Sequence, residues 1–509
     1  MKTGKVILVG AGPGDEGLLT LKGKTWIERA DTVVYDHLAN IRMTRHAKPG
    51  VELIYAGKSV GQATMSQEVI NTLLIEKAYA GKVVVRLKGG DPFIFGRGGE
   101  EAQALKKANI PFIIVPGVTS PVGVSAYAGI PLTHRDFAST VSIITGTIGK
   151  EFDADPIDWS TLAQWSGTLV FLMGARKLDL IANNLILHGK EPETPIAVIQ
   201  WGATPKQKTW TGTLKSIATI AASENIQPPA LTIVGKVVDL KPNIDWFETL
   251  SLFGKTIVVT RPLTQAEGLI QLLEEKGADP YPLPVIETVF PDDLDPLNNA
   301  LDKLESYNGL IFTSVNGVRF FMKHLRLRDK DIRELKGARI YAIGPKTANE
   351  LSDRSIRVNV VPEEYVAEAL LDCFTRENVS GKRFLIPRAS VAREILPDEL
   401  RSRGAIVDVV SVYKTIQLEH TERDFLKKLK TGKIDAVTFT ASSTVTHFMS
   451  IIEDISLMDS VTVACIGPIT AKTARDKGLS VDVIAKKFTI EGLVDALESY
   501  FANNSNEGI

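Results

Sequence analysis

Two glycine-rich turns carry the clearest chemical signal in the sequence. Residues 10–15 read GAGPGD, residues 88–98 read KGGDPFIFGRG, and each segment follows a short apolar run. Glycine lets the backbone approach a ligand closely, and N–H groups at a helix start attract anionic groups. Ligands of open α/β sheets bind beyond the carboxyl ends of the strands. Together the two turns predict a site for one bent, adenosine-bearing ligand.

The first turn alone leaves three interpretations open. It nearly fits the dinucleotide fingerprint, but Asp15 stands where the third glycine belongs, and that glycine normally permits close packing of helix on strand. Asp36 ends the run VVYD and is placed as the ribose-binding acid of a dinucleotide site would be. The turn therefore fits NAD(P), another adenosine-bearing ligand, or a purely structural role.

The elements that must position these turns alternate between strand and helix. From residue 5 to residue 115, short β-branched runs alternate with helical stretches such as 66–79 and 97–108, which is typical of an α/β sheet covered by helices. A proline-rich turn at 116–121 precedes a second set of strands. We expect a first domain at about 1–250, with lobes at about 1–117 and 118–250.

The second half contains an internal duplication. GKTIVVTRP from Gly254 aligns with GKRFLIPRA from Gly381, a shift of 381 − 254 = 127, and Arg261 aligns with Arg388 at the same shift. The segments LPVIETVF and VVSVYKTIQL read as extended connectors running in opposite directions. We expect two similar α/β lobes, one at about 254–284 plus 419–500 and one at about 292–407.

Composition argues against several classes of protein. Lys plus Arg (59) balance Asp plus Glu (60), so no global charge recruits nucleic acid or a membrane. Cys373 and Cys465 are the only cysteines and have no ligand-like spacing, so we expect no metal or disulfide and two buried thiols. Prolines interrupt the uncharged stretch 113–132. These features favour a cytoplasmic protein that binds small molecules.

The first half resembles uroporphyrinogen-III C-methyltransferases. The resemblance covers residues 1 to about 248 and rests on VGAGPGDEGLLTLKG, VVYDHL, VVRLKGGDPFIFGRGGEE, VPGVTS, AYAGIPLTHRD and LVFLMG. It implies a two-lobed tetrapyrrole methylase fold, S-adenosylmethionine as methyl donor and a homodimer formed through this half. It assigns cofactor contacts to Pro13, Gly89, Gly90, Asp91, Ile94, Thr119, Ser120, Met173 and Gly202.

The same resemblance implies the groups that handle the tetrapyrrole. Asp36 matches the proposed proton acceptor and Lys58 the proton donor. Candidates for binding the acidic side chains of the substrate are Arg42, Arg97, His134 and Arg135. The sequence departs from the family pattern at Ala63 and Thr147, where relatives usually have histidine.

The duplicated half resembles uroporphyrinogen-III synthases from residue 254 to about 500. The matching segments are VVTRP, IFTSVNGV, AIGPKTA, VYKT, TFTASSTV and CIGPITAKTA. The resemblance implies two flavodoxin-like lobes joined by a two-stranded linker, which close on hydroxymethylbilane. It assigns Tyr413 to departure of the hydroxyl group, and the polar groups expected to line the cleft are Thr313, Ser314, Asn316, Lys346, Thr440, Ser442, Ser443 and Thr470.

The two resemblances support each other because the synthase product is the methyltransferase substrate. They predict a bifunctional enzyme that converts hydroxymethylbilane to uroporphyrinogen III and then, with S-adenosylmethionine, to precorrin-2, which feeds sirohaem or cobalamin synthesis. Two alternatives remain at this stage. One is an NAD(P)-dependent oxidoreductase fused to a bilobal ligand-binding module, and the other is a non-catalytic ligand sensor.

Overall fold

The residues that the computed structural model describes form four five-stranded sheets. It describes residues 3–57, 65–146, 157–363, 367–374, 378–390, 394–417, 422–452 and 454–505. By its contacts the chain divides into two compact units. The first contains 1–257, 271–280 and 497–509, and the second contains 258–270 and 281–496. Each unit contains helices packed on sheets, as the alternating pattern predicted.

The first sheet is wholly parallel, in the order β3-β2-β4-β1-β5. Its strands are β1 (Lys5–Gly10), β2 (Thr32–Tyr35), β3 (Glu52–Tyr55), β4 (Val83–Lys88) and β5 (Phe112–Val115). The helices that accompany it are α1 (Leu21–Arg29), α2 (Gln67–Tyr79), α3 (Gly98–Lys107) and α4 (Ser120–Tyr127). Helices cover both faces of such a sheet, which explains why Ile7, Leu8 and Val9 are fully buried in succession.

The second sheet is mixed, in the order β6-β7-β10-β8-β9. Its strands are β6 (Val141–Thr145), β7 (Thr168–Leu172), β8 (Pro195–Gln200), β9 (Lys208–Thr213) and β10 (Ala230–Val234). Its helices are α5 (Trp159–Gln164), α6 (Leu178–Leu187), α7 (Ile217–Ser223) and α8 (Lys241–Ile244). Strand β10 is antiparallel to both of its neighbours, β7 and β8. The carboxyl ends of β7 and β8 therefore lie at the same edge of the sheet.

The remaining two sheets confirm the internal duplication. The third has the order β12-β11-β18-β19-β20 and the fourth β13-β17-β16-β14-β15. Their strands are β11 (Thr256–Val259), β12 (Asp279–Pro282), β13 (Ile286–Val289), β14 (Gly309–Phe312), β15 (Arg339–Ala342), β16 (Arg383–Ala389), β17 (Ile406–Gln417), β18 (Ala436–Phe439), β19 (Thr462–Cys465) and β20 (Val483–Ile484).

Corresponding strands occupy corresponding places in these two sheets. Strand β11 matches β16 (383 − 256 = 127), β12 matches β17 (406 − 279 = 127) and β14 matches β18 (436 − 309 = 127). Strand β15 matches β19 (462 − 339 = 123). The order β12-β11-β18-β19 therefore repeats as β17-β16-β14-β15. A repeated strand order of this kind indicates two copies of one α/β unit.

The helices of these lobes follow their strands in chain order. They are α9 (Leu263–Glu275), α10 (Asp295–Leu301), α11 (Val315–Leu327), α12 (Pro345–Ser352), α13 (Ala367–Cys373), α14 (Ile395–Ser402), α15 (Glu422–Lys430), α16 (Ser442–Met449), α17 (Pro468–Asp476) and α18 (Ile490–Ser505). The predicted two-stranded connector is confirmed, since β13 pairs antiparallel with the end of β17 from Ile286↔Gln417 to Val289↔Lys414.

Within the described part of the chain, no helix has both the length and the apolar character needed to cross a membrane. The cysteine prediction is half confirmed: Cys465 is buried, whereas Cys373 is partly exposed near the end of α13. Burial raises the pKa of the Cys465 thiol to about 12, although the charge of Arg475 opposes the shift. The two thiols should therefore differ in reactivity, because the thiolate is the nucleophile.

We predict that a disulfide reagent at pH 8 modifies one thiol per folded chain, at Cys373, and both thiols in denaturant. The raised pKa and full burial of Cys465 keep it neutral and out of reach. Timed absorbance of the released thiolate measures this, with Cys373→Ser as the control that should show no fast phase. Two thiols reacting at equal rates in the folded chain would contradict the predicted difference.

Candidate active sites

Two glycine turns of the first unit are joined backbone to backbone. The Gly12 N–H donates to the Gly90 carbonyl at 3.1 Å, and the Gly90 N–H donates to the Gly12 carbonyl at 2.7 Å. Both glycines have left-handed backbone, with φ of 74° and 67°. That conformation is costly for residues with a Cβ atom. The two turns thus form one structure, as the sequence predicted.

A third loop, between β5 and α4, completes the arrangement. A Cβ atom added to Gly117 would lie 2.4 Å from the Gly90 carbonyl oxygen and 2.7 Å from the Gly10 Cα atom. The Asp91 carboxylate fixes this loop, because Oδ2 accepts from the Gly117 N–H at 3.0 Å while Oδ1 accepts from the Phe93 N–H at 2.8 Å. We call residues 10–13, 89–91 and 117–120 the glycine cradle.

The start of α4 and the end of β8 border the cradle. A Cβ atom on Gly90 would lie 3.6 Å from the Ser120 nitrogen and 3.9 Å from the Thr119 Cα atom. Pro13 packs on α4, since a Cβ atom on Gly123 would come within 2.6 Å of the Pro13 Cγ atom. A Cβ atom on Gly202 would come within 2.2 Å of Val124 in the same helix. The structure thus gathers most of the residues assigned to the cofactor.

Three further residues at the edge of the second sheet have strained backbone. Met173, Trp201 and Ala203 have φ of 56°, 52° and 57°. Non-glycine residues rarely adopt this conformation, and it concentrates at functional sites. Met173 follows β7 and Gly202 follows β8, at the same edge. Ile94 lies in the turn after Asp91 and is 39% exposed.

Asp15, which replaces the fingerprint glycine, has a structural role. Its carboxylate accepts hydrogen bonds from the Gly17 N–H at 2.6 Å and from the Tyr127 hydroxyl at 2.5 Å. Burial and this hydrogen bond raise the pKa of Tyr127. Asp15 therefore links the first turn to the end of α4. This structural role accounts for an aspartate at the position of the fingerprint glycine, and no bound dinucleotide is needed to explain it.

Asp36 lies against the second glycine turn. Its carboxylate accepts from Arg86 at 2.9 Å and from the Leu38 N–H at 3.1 Å. A Cβ atom on Gly89 would lie 2.6 Å from the Leu38 Cβ atom, so the turn that carries Asp36 touches the cradle. The side chain is 22% exposed. Lys58, Ala63 and Thr147 lie outside the described residues.

The predicted substrate cations of the first half lie in three separate segments of the chain. Arg97 pairs with Glu100 at 2.6 Å, and both side chains are more than half exposed. His134 and Arg135 lie in a turn closed by the His134–Ala138 backbone bridge. Arg42 differs most from the expectation, because its guanidinium group is already bound to Glu274 at 3.0 Å, to Asp279 at 2.7 Å and to the Pro280 carbonyl.

In the second unit, Tyr413 lies beside the start of α11. Its hydroxyl group shares a hydrogen bond of 3.3 Å with Ser314, and its ring stacks on Phe320 with centroids 5.6 Å apart. Ser314 also caps α11 by accepting from the Gly317 N–H at 3.0 Å. The tyrosine hydroxyl is thus held next to a helix N-terminus, where partial positive charge accumulates.

The other predicted cleft residues lie at strand ends or helix starts of the two lobes. Asn316 accepts from Gln265 of α9 at 3.2 Å, and Ser442 accepts from Thr473 at 2.8 Å. Thr313 and Thr440 follow β14 and β18, whereas Ser443 and Lys346 are exposed near the starts of α16 and α12. Thr470 differs from the expectation: it is only 6% exposed, because α17 packs its side chain inward.

Comparisons with known proteins match both halves. The family model described as tetrapyrrole (corrin/porphyrin) methylases matches residues 5–218, and the model described as uroporphyrinogen-III synthase matches residues 267–495. A porphyrin biosynthesis protein from Ruminiclostridium josui is 37% identical over 98% of each chain.

The chain belongs to this family of fused porphyrin biosynthesis enzymes. It unites a uroporphyrinogen-III C-methyltransferase domain with a uroporphyrinogen-III synthase domain. An S-adenosyl-L-methionine-dependent uroporphyrinogen III methyltransferase of Methanosarcina barkeri is 48% identical and covers 47% of this chain and 93% of its own. The crystal structure of a Thermus thermophilus uroporphyrin-III C-methyl transferase with S-adenyl homocysteine is 41% identical over 47% of this chain and 100% of its own, with a TM-score of 0.41.

Sequence reasoning missed a group of buried charges in the methyltransferase domain. Glu101 of α3, which is fully buried, accepts from Lys88 at 2.9 Å and approaches Arg86 at 3.4 Å. Arg86 in turn holds Asp36. We call Arg86, Lys88 and Glu101 the buried charge cluster. The available signal was the run VVVRLKGG, in which two cations alternate with apolar residues inside a buried strand.

Burying these three charges costs free energy. Burial lowers the pKa of Lys88, and the charge of Arg86 adds to the shift while Glu101 opposes it. Within the described residues, the Oε2 atom of Glu101 has no hydrogen-bond partner. Glu101 therefore compensates two buried cations largely through its other oxygen. Such an arrangement holds Arg86 in one position, since moving it would leave charge unpaired.

We predict that Glu101→Ala lowers the free energy of unfolding of the methyltransferase domain by about 3–5 kcal/mol, because it leaves buried cations unpaired. Glu100→Ala, at the neighbouring position but in an exposed pair with Arg97, should cost less than about 1 kcal/mol. All six tryptophans lie between residues 26 and 246, so tryptophan fluorescence in urea reports on this domain. Equal losses in the two variants would refute the assigned role of the cluster.

Proposed function

We propose that the protein cyclises hydroxymethylbilane to uroporphyrinogen III, with inversion of ring D. It then methylates the product at C2 and C7 with S-adenosylmethionine to give precorrin-2. The observation that carries the methyltransferase half is the glycine cradle, in which three strand-end loops meet through bare backbone. The proposal for the cyclisation step is supported by the two lobes of repeated strand order and by their match to the synthase family model.

The residues of the cradle fit an adenosine-bearing sulfonium compound. The loops offer backbone groups around Gly90 and Ser120, and a methyl group added to Gly90 would meet no protein atom closer than 3.6 Å. The ligand is proposed to occupy this space. Pro13 and Gly202 both pack on α4, whose start belongs to the cradle, and a similar Methanosarcina enzyme is named as S-adenosylmethionine-dependent. Met173 stays a proposed cofactor contact on the strength of the resemblance. When bound there, S-adenosylmethionine supplies an electrophilic methyl group.

Asp36 is proposed to take up the proton that the methylated pyrrole releases. Arg86 and the Leu38 N–H hold its two carboxylate oxygens and so fix the orientation of the carboxylate. Alignment of donor and acceptor supplies much of the remaining acceleration. Lys58 stays the proposed proton donor on the strength of the resemblance alone.

In the synthase domain, Tyr413 is proposed to assist departure of the hydroxyl group of hydroxymethylbilane. Its own hydroxyl lies next to Ser314 at the start of α11, so Ser314 can donate to Tyr413 while Tyr413 donates to the leaving oxygen. Ring closure then depends on how the cleft holds the linear substrate. Polar groups from both lobes, among them Asn316 and Ser442, are proposed to hold it.

We further propose that the methyltransferase half forms a homodimer, as the resemblance implies. The product would enter sirohaem or cobalamin synthesis. Neither proposal affects the chemistry assigned to the single chain.

The direct test supplies hydroxymethylbilane to the pure full-length protein with and without S-adenosylmethionine. We expect the type III ring alone without S-adenosylmethionine and its dimethylated derivative with it, identified by chromatography of the oxidised porphyrins and by mass spectrometry. Spontaneous closure gives the type I ring. Type I product alone would remove the synthase assignment, and type III product without methylation would remove the methyltransferase assignment.

We predict that Asp91→Ala weakens binding of S-adenosylhomocysteine at least about 30-fold, because it removes the hydrogen bonds that hold the loops at Phe93 and Gly117. Ring closure should be unchanged. Asp136→Ala, whose carboxylate is 72% exposed, is the control and should bind normally. Calorimetric titration measures the affinity, and loss of ring closure in a folded Asp91 variant would contradict the division of labour.

We predict that Tyr413→Phe lowers the rate of hydroxymethylbilane cyclisation at least about 10-fold and spares methylation of supplied uroporphyrinogen III. The reason is loss of a hydroxyl donor at the leaving group. Tyr281→Phe removes another hydroxyl of the same domain, one that donates to Asp424 at 3.3 Å, and should leave the rate within about twofold. A Tyr413 variant as fast as the parent would exclude this residue from the reaction.

A further inference from the structure

The duplication gives each synthase lobe an arginine at the same place in its sheet. Arg261 follows β11 and Arg388 lies near the end of β16, and these strands correspond in the repeated order. The two residues are separated by 388 − 261 = 127, the shift of the repeat. Because the two positions are equivalent by descent within one chain, any difference between their surroundings is informative.

The two arginines differ in their partners. Arg388 is 8% exposed and forms an ion pair with Glu394 of its own lobe. Arg261 donates one long hydrogen bond of 3.4 Å, to the amide oxygen of Gln265, and forms no ion pair within the described residues. Burial lowers the pKa of Arg261. Among the described residues, one lobe therefore supplies a carboxylate to its arginine and the other does not.

The surroundings of Arg261 point toward the cleft between the two synthase lobes. Gln265, which accepts from Arg261, donates its amide N–H to Asn316 of the other lobe at 3.2 Å. Asn316 belongs to the first turn of α11, the helix that Ser314 caps beside Tyr413. The guanidinium group is thus linked through one glutamine to the same helix start as the tyrosine.

We propose that Arg261 binds a carboxylate side chain of the linear tetrapyrrole in the synthase cleft and so positions the substrate for ring closure. The inference rests on the proposed synthase function. A guanidinium group offers paired donors that match a carboxylate, and partial burial strengthens such a pair. The acetate and propionate groups of the substrate supply the partner that Glu394 supplies to Arg388.

Arg261→Gln should raise the KM for hydroxymethylbilane at least about 10-fold and change kcat less than about threefold, because the lost contact is made before the chemical step. Arg261→Lys should recover part of the affinity, since it keeps the charge but loses the paired geometry. Arg388→Gln is the matched control and should leave KM within about twofold. The kcat for cyclisation, measured in the same titrations, reports that the synthase domain of each variant is folded, because an unfolded fraction would lower kcat.

The product of the parent chain tests the proposed synthase function, whereas the KM of the Arg261 variant tests the role of this arginine. A parent chain that makes only type I ring overturns the proposed synthase function and this inference with it. A parent chain that makes type III ring, together with an Arg261→Gln variant of unchanged KM, overturns the inference alone. Equal increases of KM in the Arg261 and Arg388 variants would also overturn it, because they would indicate a structural role common to both lobes.

Discussion

The methyltransferase half depends on backbone contact without side chains at three strand ends. Gly10, Gly90 and Gly117 lie so close that a Cβ atom on Gly10 or Gly117 would meet backbone at 2.4–2.7 Å. Polypeptide backbone cannot yield at such distances, whereas a flexible side chain can. The three loops can therefore converge only because these positions carry hydrogen. Asp91 then fixes the junction through the Gly117 N–H, and the loops face the start of α4 with their polar backbone groups available.

The buried charge cluster, besides balancing its own charges, orients a group beside the cradle. Glu101 neutralises two cations of β4, and one of them, Arg86, holds the Asp36 carboxylate beside the cradle. A buried cation positioned in this way orients the proposed proton acceptor before substrate binds. Little free energy is then needed to reorient the carboxylate during the reaction. In the synthase half, the start of α11 likewise holds Ser314 and Tyr413 together in the folded chain. The equivalent arginines of the two lobes differ, since Arg388 is paired with Glu394 whereas Arg261 is proposed to bind substrate in the cleft.

The architecture was largely predictable from the sequence, because strand and helix periodicities, turn residues and a fixed repeat shift are local signals. The glycine turns predicted a shared ligand site, which stays a prediction, and the structure shows that the turns are in contact, since Gly12 and Gly90 exchange hydrogen bonds. Side-chain partnerships were less predictable, since they depend on residues distant in the chain. Arg42 is bound to Glu274 and Asp279, more than two hundred residues away, and no local pattern indicates this. Thr470 faces the core because of how α17 rotates on its sheet, and the buried charge of Glu101 follows from its packing on β4.

The central claim is that bare backbone at Gly90 makes room for the adenosine-bearing methyl donor. Gly90→Ala adds one methyl group whose nearest protein atom would be 3.6 Å away, so it fills the cradle without a clash. Gly50→Ala imposes similar left-handed strain, at φ of 79° against 67°, in open space. Calorimetric titration of both variants and the parent with S-adenosylhomocysteine decides the matter. We predict binding to the parent and to the Gly50 variant and at least about 30-fold weaker binding to the Gly90 variant. Equal affinities in all three, or no binding to the folded parent chain, would contradict the account.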